Sequence, residues 1–530
     1  MKRSVIIACC LILPVIFSAP PLSAQTGSIP GIDQPYWQQG ADYVIKCLLE
    51  HDAHRLTGAE EIRYTNNSPD TLTEFYIHLY PNAYKDKDSQ LLKDFLAGVW
   101  FQVVGLPKKN RGWIDIESLA VNGRPDSFTV DGTILKSRLS SPLPPGGKLT
   151  IELSFTEKIR ERLGRAGYIG DHYDMGQWYP KMVVYDKKGW HPDQFRTGEF
   201  YGEFGTYDVH ITLPEEFVVA ATGVSVSGDP GWGKNPPGGK GTGGSGLKEP
   251  GNLKTVHFHA ENVHDFAWCA DPSFIVEDTE INGCTVMSFY RPWNTAWADS
   301  ALARGVKAIK WLERFAGPYG YPQMSIVDSN SRGGMEYPML VMNGDSDEYL
   351  IFHEIGHNWF YGMLANDERD EAWMDEGMTD YQTFLYQEST YGPYGRPYEK
   401  NFSNFLNPQK KLWEDVAGPV IYYHRTGFAE RVSTPYHEFK SSGRTMVYTK
   451  GALFIRALRY YVGDDDGLGT TGRQLSADAV NAADLGGVDF SLYDYNSDNN
   501  CDGVVDVLDL LEVLSCWGPC PCSRAGRGSP

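Results

Sequence analysis

His353, Glu354 and His357 open the run HEIGHNWFYGMLANDERDEAWMDEGMTDY, and Glu376 follows His357 after eighteen intervening residues. Two histidines four residues apart on a helix lie about one turn from each other, so both imidazoles can address one ion from the same face. A catalytic zinc takes three protein ligands and keeps a fourth position for water, and a carboxylate from a neighbouring helix completes such a set. Glu376 is that carboxylate. Glu354 lies between the histidines, rotated off the metal axis, where it can take a proton from a zinc-activated water and hand it to a leaving group. It is therefore expected to be a base and not a ligand. Asp380, four residues beyond Glu376, is placed to orient a ligand histidine from behind.

Such a site requires two helices held side by side. Apolar positions recur at helical spacing from about Trp297 to Phe315, and that pattern stops before Gly317 and Pro318. MSIVD and GGMEYPMLVMN then read as strands, followed by the helix of the two histidines and the helix of Glu376. The metal is thus expected on helices beside a small sheet. Upstream, from about Tyr36 to Phe274, short alternating segments such as EEIRYTN, TEFYIHLY and KLTIELSFTE are separated by Pro, Gly, Asn and Asp, which predicts an antiparallel β domain. The Gly/Pro-rich stretch 228–251 interrupts that domain as a loop.

Of the 530 residues, 41% are hydrophobic and 13% aromatic, enough for two large cores and too much for disorder. The formal charge of −20 excludes nucleic acid as the expected partner, since phosphate binding needs a basic surface. Lys2 and Arg3, an apolar stretch from Val5 to Phe17 and small residues up to Ala24 form a secretory signal pattern, which predicts an exported protein, periplasmic or extracellular. No other stretch is long and apolar enough to span a bilayer. Export permits disulfides: Cys269 and Cys284 are candidates for a bridge with Cys47 left over, the alternative being three buried thiols.

Near the end, Asp498, Asn500, Asp502, Gly503, Val504, Asp506 and Asp509 occupy positions 1, 3, 5, 6, 7, 9 and 12 of a calcium loop, with glycine at the sharp bend. With the amphipathic LDLLEVLSCWG behind it, the segment resembles one repeat of a dockerin. That resemblance implies Ca²⁺ as a second metal and a role in extracytoplasmic attachment; the alternative is an acidic, solvated tail.

From about Tyr36 to Val462 the chain resembles the gluzincin aminopeptidases, the family of aminopeptidase N. The His-Glu-x-x-His motif with its distant Glu carries the resemblance. It is joined upstream by Gly333, Gly334, Met335, Glu336 and Tyr337, similar to the family's Gly-Ala-Met-Glu-Asn strand, and downstream by Tyr448, Lys450, Gly451 and Ala452, similar to its Tyr-x-Lys-Gly segment. The resemblance implies peptides with a free N-terminus as substrates. Glu336 would pair with the α-ammonium group and Tyr448 would donate a hydrogen bond to the oxyanion. Gly333 and Gly334 would either let a substrate approach the backbone closely or simply make a turn. Gln177, in DMGQWYPK, would reach the substrate's amino terminus or serve as a structural amide. Tyr337 departs from the family's Asn.

The expected class is α+β. A signal peptide (1–24) precedes an N-terminal antiparallel β domain, a saddle-like sandwich (25–275). A thermolysin-like, mainly helical zinc catalytic domain follows (276–465), truncated where relatives add further helices, with apolar surface left exposed and a more open cleft. A linker (466–491), a small EF-hand-like calcium module (492–522) and a tail (523–530) complete the chain. The activity implied is that of a zinc aminopeptidase. A zinc endopeptidase and a catalytically weak surface peptide-binding protein are the alternatives.

Overall fold

The structure is a computed structural model that describes residues 37–97, 107, 111–161, 165–232, 252–298, 300–330, 333–395, 411–440 and 443–462. The expected signal peptide, most of the Gly/Pro-rich loop, the linker, the tail and the calcium module with Asp498, Asn500, Asp502, Val504, Asp506 and Asp509 lie outside the described residues. The architecture below belongs to the unit that begins at Gln39.

Alternation of apolar and polar residues builds the first half. Along Gly40–Glu50, Ala41, Tyr43, Ile45, Cys47 and Leu49 are buried and their neighbours are not, as a two-residue period requires of a strand with one face on a core. That strand sits inside an eight-stranded sheet with the order Val224–Ser227, Leu253–Val263, Gly205–Pro214, Gly40–Glu50, Arg55–Thr65, Lys148–Lys158, Trp113–Val121 and Arg124–Pro125. The sheet is antiparallel except at its centre, where Gly40–Glu50 runs parallel to Gly205–Pro214 with Tyr43 opposite Tyr207. This corrects the purely antiparallel expectation. Side-chain alternation marks which face is buried, but it carries no information about the direction of the partner.

Two four-stranded sheets cover the buried face, one containing His172–Met175 and Trp268–Asp271, the other Leu72–His78 and Ile134–Leu143. Phe75, Ile77, Tyr173, Trp178 and Trp268 from this layer share one core with Tyr43, Ile62, Ile151 and Tyr207 of the large sheet. The sandwich is closed by that packing.

A mixed five-stranded sheet begins the second half, in the order Ile275–Ile281, Cys284–Tyr290, Gln323–Asp328, Leu340–Asn343 and Gly334–Met335. The helices, with α1 at Gln90–Ala97 in the β domain, are α2 (Thr295–Ala298), α3 (Ala301–Ala316), α4 (Glu348–His357), α5 (Trp373–Tyr391), α6 (Leu412–Thr426) and α7 (Gly451–Val462). The stretch of helical spacing from about Trp297 to Phe315 falls on two helices, α2 and α3. Ile351, Phe352 and Ile355 of α4 pack into one core with Trp311 of α3 and with Ile326 and Val341 of the sheet. Those positions are i, i+1 and i+4, so they anchor one side of α4 and leave the histidines on the other.

Near the end of α6, Tyr422 and Phe428 are 62% and 60% exposed. The expected bridge is absent: Cys47, Cys269 and Cys284 are buried thiols. Cys269 is in the sheet of Trp268–Asp271 with its Sγ 3.3 Å from an Asp174 carboxylate oxygen, whereas Cys284 begins a strand of the other sheet, so the two have no shared pairing to span.

Candidate metal centre and active site

His353 and His357 bring their Nε2 atoms to 3.1 Å of each other. Oε2 of Glu376, in the first turn of α5, lies 3.2 Å from the first and 3.3 Å from the second. Three ligand atoms about 2.0 Å from a tetrahedral zinc stand about 3.3 Å apart, so these residues fit the ion without rearrangement. Behind them, His353 Nδ1 is 3.2 Å from Asp380 Oδ1 and His357 Nδ1 is 2.6 Å from Asp375 Oδ1. The carboxylate on His357 Nδ1 holds the proton there and leaves that Nε2 with its lone pair toward the centre, while Asp380 stands beside His353 Nδ1 at ion-pair distance. Asp380 is itself held by the Tyr349 hydroxyl at 2.7 Å.

Asp375 was not singled out from the sequence. Its only signal is its place immediately before Glu376, and its use depends on how α5 is rotated against α4.

Electrostatics follow from the crowding of charge. Burial works against an imidazolium at His353, but Asp380 and Glu376 hold it up to about 10. At Glu376 burial favours the neutral acid, and His357 and His353 overcome it, keeping the carboxyl well below its usual range. Glu354 is buried, and burial pushes it up to about 7 against the pull of the two imidazoles. Its carboxyl group fills the volume that a β-carbon on Gly334 would take. The space left by Gly334 therefore accommodates Glu354, while Gly333 faces open space.

Tyr448 stands in a π-helical turn, Thr445–Lys450, that leads into α7, and its hydroxyl donates to Glu376 Oε1. Gly451 and Gly377 make this approach possible. A β-carbon on either would lie 2.9 Å from the other's Cα, so α7 can sit against α5 only without side chains at that crossing.

Glu336 follows the edge strand Gly334–Met335. It is 4% exposed, and one of its oxygens lies within 4.8 Å of donor atoms of Glu354 and His357. Burial, then the Glu199 carboxylate, push it well above the usual range. Glu199 comes from the β domain, within 4.8 Å of both Glu336 and Glu376, and Arg165 grips it with two guanidinium nitrogens. Neither Arg165 nor Glu199 was legible beforehand, because both belong to irregular or short segments without a period.

These groups line a cavity of about 270 Å³ that includes Arg165, Glu199, Glu336, His353, Glu354 and Tyr448. A second cavity of about 250 Å³ adjoins it and shares Arg165, Glu199 and Tyr448. Gln177 borders the second cavity and not the first. Its amide donates to Asp265 at 2.6 Å and accepts from the Tyr337 hydroxyl, on a backbone with φ of +48°.

Residues 300–475 match the model of the peptidase family M1 domain. Leukotriene A-4 hydrolase of Xenopus laevis is 28% identical over 194 residues, which are 32% of this chain and 30% of that protein. Aminopeptidase B of Mus musculus is 27% identical over 208 residues, 33% of this chain and 29% of that protein. The chain thus spans under a third of the length of these curated relatives. In fold it is similar to a mutant M1 zinc metallopeptidase from Deinococcus radiodurans bound to a Tyr-Ser-Ala substrate, with a TM-score of 0.54 at 16% identity, covering 84% of this chain and 89% of that one. The family match and the relatives support a zinc metallopeptidase.

Proposed function

We propose that this chain, whose residues 300–475 match the peptidase family M1 domain, is a zinc aminopeptidase that removes N-terminal residues from peptides. The observation that carries the reading is the distance between two kinds of chemistry: a buried carboxyl, Glu336, within 4.8 Å of the proposed base Glu354 and of the proposed ligand His357. A free α-ammonium paired with Glu336 puts the first peptide bond, and no later one, beside the base.

His353, His357 and Glu376 would hold the zinc, which when bound supplies a Lewis acid that activates water and polarises the scissile carbonyl. Glu354 accepts the proton of the attacking water and returns it to the departing amine, so the reaction needs no covalent enzyme intermediate. Tyr448 donates its hydroxyl proton in a hydrogen bond to the carbonyl oxygen as negative charge develops there. Glu199 adds a second carboxylate on the ammonium side, held in place by Arg165. Asp375 and Asp380 keep the two imidazoles oriented.

The division into a β domain, a catalytic domain and a terminal calcium module is part of this proposal, as are export and extracytoplasmic attachment. The calcium loop and the signal pattern are supported by sequence alone.

Zinc-loaded protein is expected to hydrolyse an unblocked peptide, and Glu354→Gln to lose about 10²–10⁴-fold in kcat with its zinc retained. Equal rates in the two proteins would remove Glu354 from the mechanism.

A further inference from the structure

Glu336, Glu368 and Asp375 each present a carboxyl oxygen within 4.8 Å of the other two, and all three are buried. Neither oxygen of Glu368, nor Asp375 Oδ2, nor Glu336 Oε1, meets an N–H or hydroxyl donor among the described residues. Glu368 is 0% exposed, although it lies in an acidic turn whose other members, Asp367, Asp370 and Glu371, are all partly exposed. It does not border the metal-site cavity.

Three ionised carboxylates cannot share a dry pocket without a counter-charge, because desolvation and mutual repulsion both favour neutralising one of them. The surroundings decide which. Asp375 already has a partner for one oxygen, since its Oδ1 stands 2.6 Å from His357 Nδ1. Glu336 faces the cavity, where a cationic group can reach it. Only Glu368 has neither a donor nor access. Burial, followed by the adjoining Asp375, pushes it well above the usual carboxylate range.

We infer that Glu368 is kept as a neutral carboxylic acid that donates its proton to Asp375 Oδ2, and that this hydrogen bond positions Asp375 against His357 while sparing Glu336 a further negative neighbour. Glu368 is a positioning residue two hydrogen bonds from the metal. It acts through Asp375 and His357 and never touches substrate. The inference rests on the metal-centre reading above.

The test compares the full-length protein with Glu368→Gln and Glu368→Ala, measuring zinc affinity by competition with a chelator, zinc content per chain, and the infrared carbonyl stretch of a protonated carboxylic acid. An amide keeps a donor for Asp375, so Glu368→Gln retains an affinity close to that of the parent, and its infrared difference against the parent shows one carboxylic-acid band lost. Glu368→Ala loses about 10-fold or more in affinity, the scale on which outer partners of a metal ligand act. Should Glu368→Gln be as damaging as Glu368→Ala, or the infrared difference between parent and Glu368→Gln show no carboxylic-acid band lost, the neutral-acid role is wrong. A parent that binds two ions per chain, one of them lost in both variants, would show that a cation and not a proton fills the cluster. A parent that binds no zinc would overturn the metal-centre reading together with this inference, whereas failure of the Gln variant alone overturns only the inference.

Discussion

The Tyr337 hydroxyl donates to the side-chain carbonyl of Gln177 and stands where a β-carbon on Gly176 would have to go. One contact thus ties the strand-edge segment of Glu336 to the β domain. It also accounts for the Gln177 amide, whose other end is taken by Asp265. Gly176→Ala is expected to push the phenol aside, to cost about 1–3 kcal/mol of stability by overpacking, and to raise KM through displaced Glu336. Combining it with Tyr337→Asn should recover part of the loss. A denaturation cycle over the two sites checks this, and strictly additive effects would contradict the coupling.

Gly334→Ala should separate binding of metal from catalysis. The new methyl group competes with the Glu354 carboxyl for one volume, so kcat falls toward that of Glu354→Gln while zinc content stays at the parent's level. Metal analysis alongside steady-state rates reads both, and loss of zinc in this variant would mean that the helix itself had shifted.

The two outer carboxylates are expected to matter for affinity more than for fold. Asp375→Ala and Asp380→Ala each free an imidazole Nδ1, and each should weaken zinc binding by about 10–100-fold in chelator competition. Asp375→Ala is predicted to do the greater harm, since its contact is the shorter.

Acid should switch the enzyme off through Glu354. A base must be ionised to accept a proton. Burial pushes this carboxyl up to about 7, so kcat declines as the pH drops below its ionisation, roughly tenfold per unit. A bound dication favours the carboxylate and moves that limb to lower pH, without changing its sign. A pH profile of kcat that rises toward acid would contradict the assignment.

Much of the metal centre was legible because helix geometry forces its spacing: His353, Glu354 and His357 needed only a period of 3.6, and Glu376 with Asp380 needed the same period on the next helix. Asp375, Glu368, Arg165 and Glu199 were not, since their roles depend on how elements are rotated and on loops with no repeat. The β domain shows the same division. Alternation identified its strands and buried faces, but the parallel pairing of Gly40–Glu50 with Gly205–Pro214 depends on chain path, which alternation does not encode. Gln177 could be placed near the site by resemblance, but its hydrogen-bond partners, 88 and 160 residues away, could not be read from the sequence.

Glu348, in the first turn of α4, carries part of the stability of the metal helix. Burial alone would raise its pKa, but Lys307 at 2.8 Å and the hydroxyls of Tyr386 and Tyr391 hold it down to about 2. With the folded value depressed, its contribution is complete above the unfolded value of about 4.3 and is lost as pH falls toward 2. Glu348→Gln should cost on the order of 2 kcal/mol at neutral pH, and less in acid, in denaturant titrations at the two conditions. An equal loss at both would place its role in packing and not in charge.

A free α-ammonium, anchored by Glu336, selects the bond to be cut in the proposed reaction. The most direct measurement is hydrolysis of one set of peptides by the zinc-loaded protein, each peptide supplied with a free and with an N-acetylated terminus, alongside Glu336→Gln. Cleavage of free termini only, one residue at a time, is expected, with a raised KM in the variant. Equal cleavage of acetylated peptides would contradict it and identify an endopeptidase.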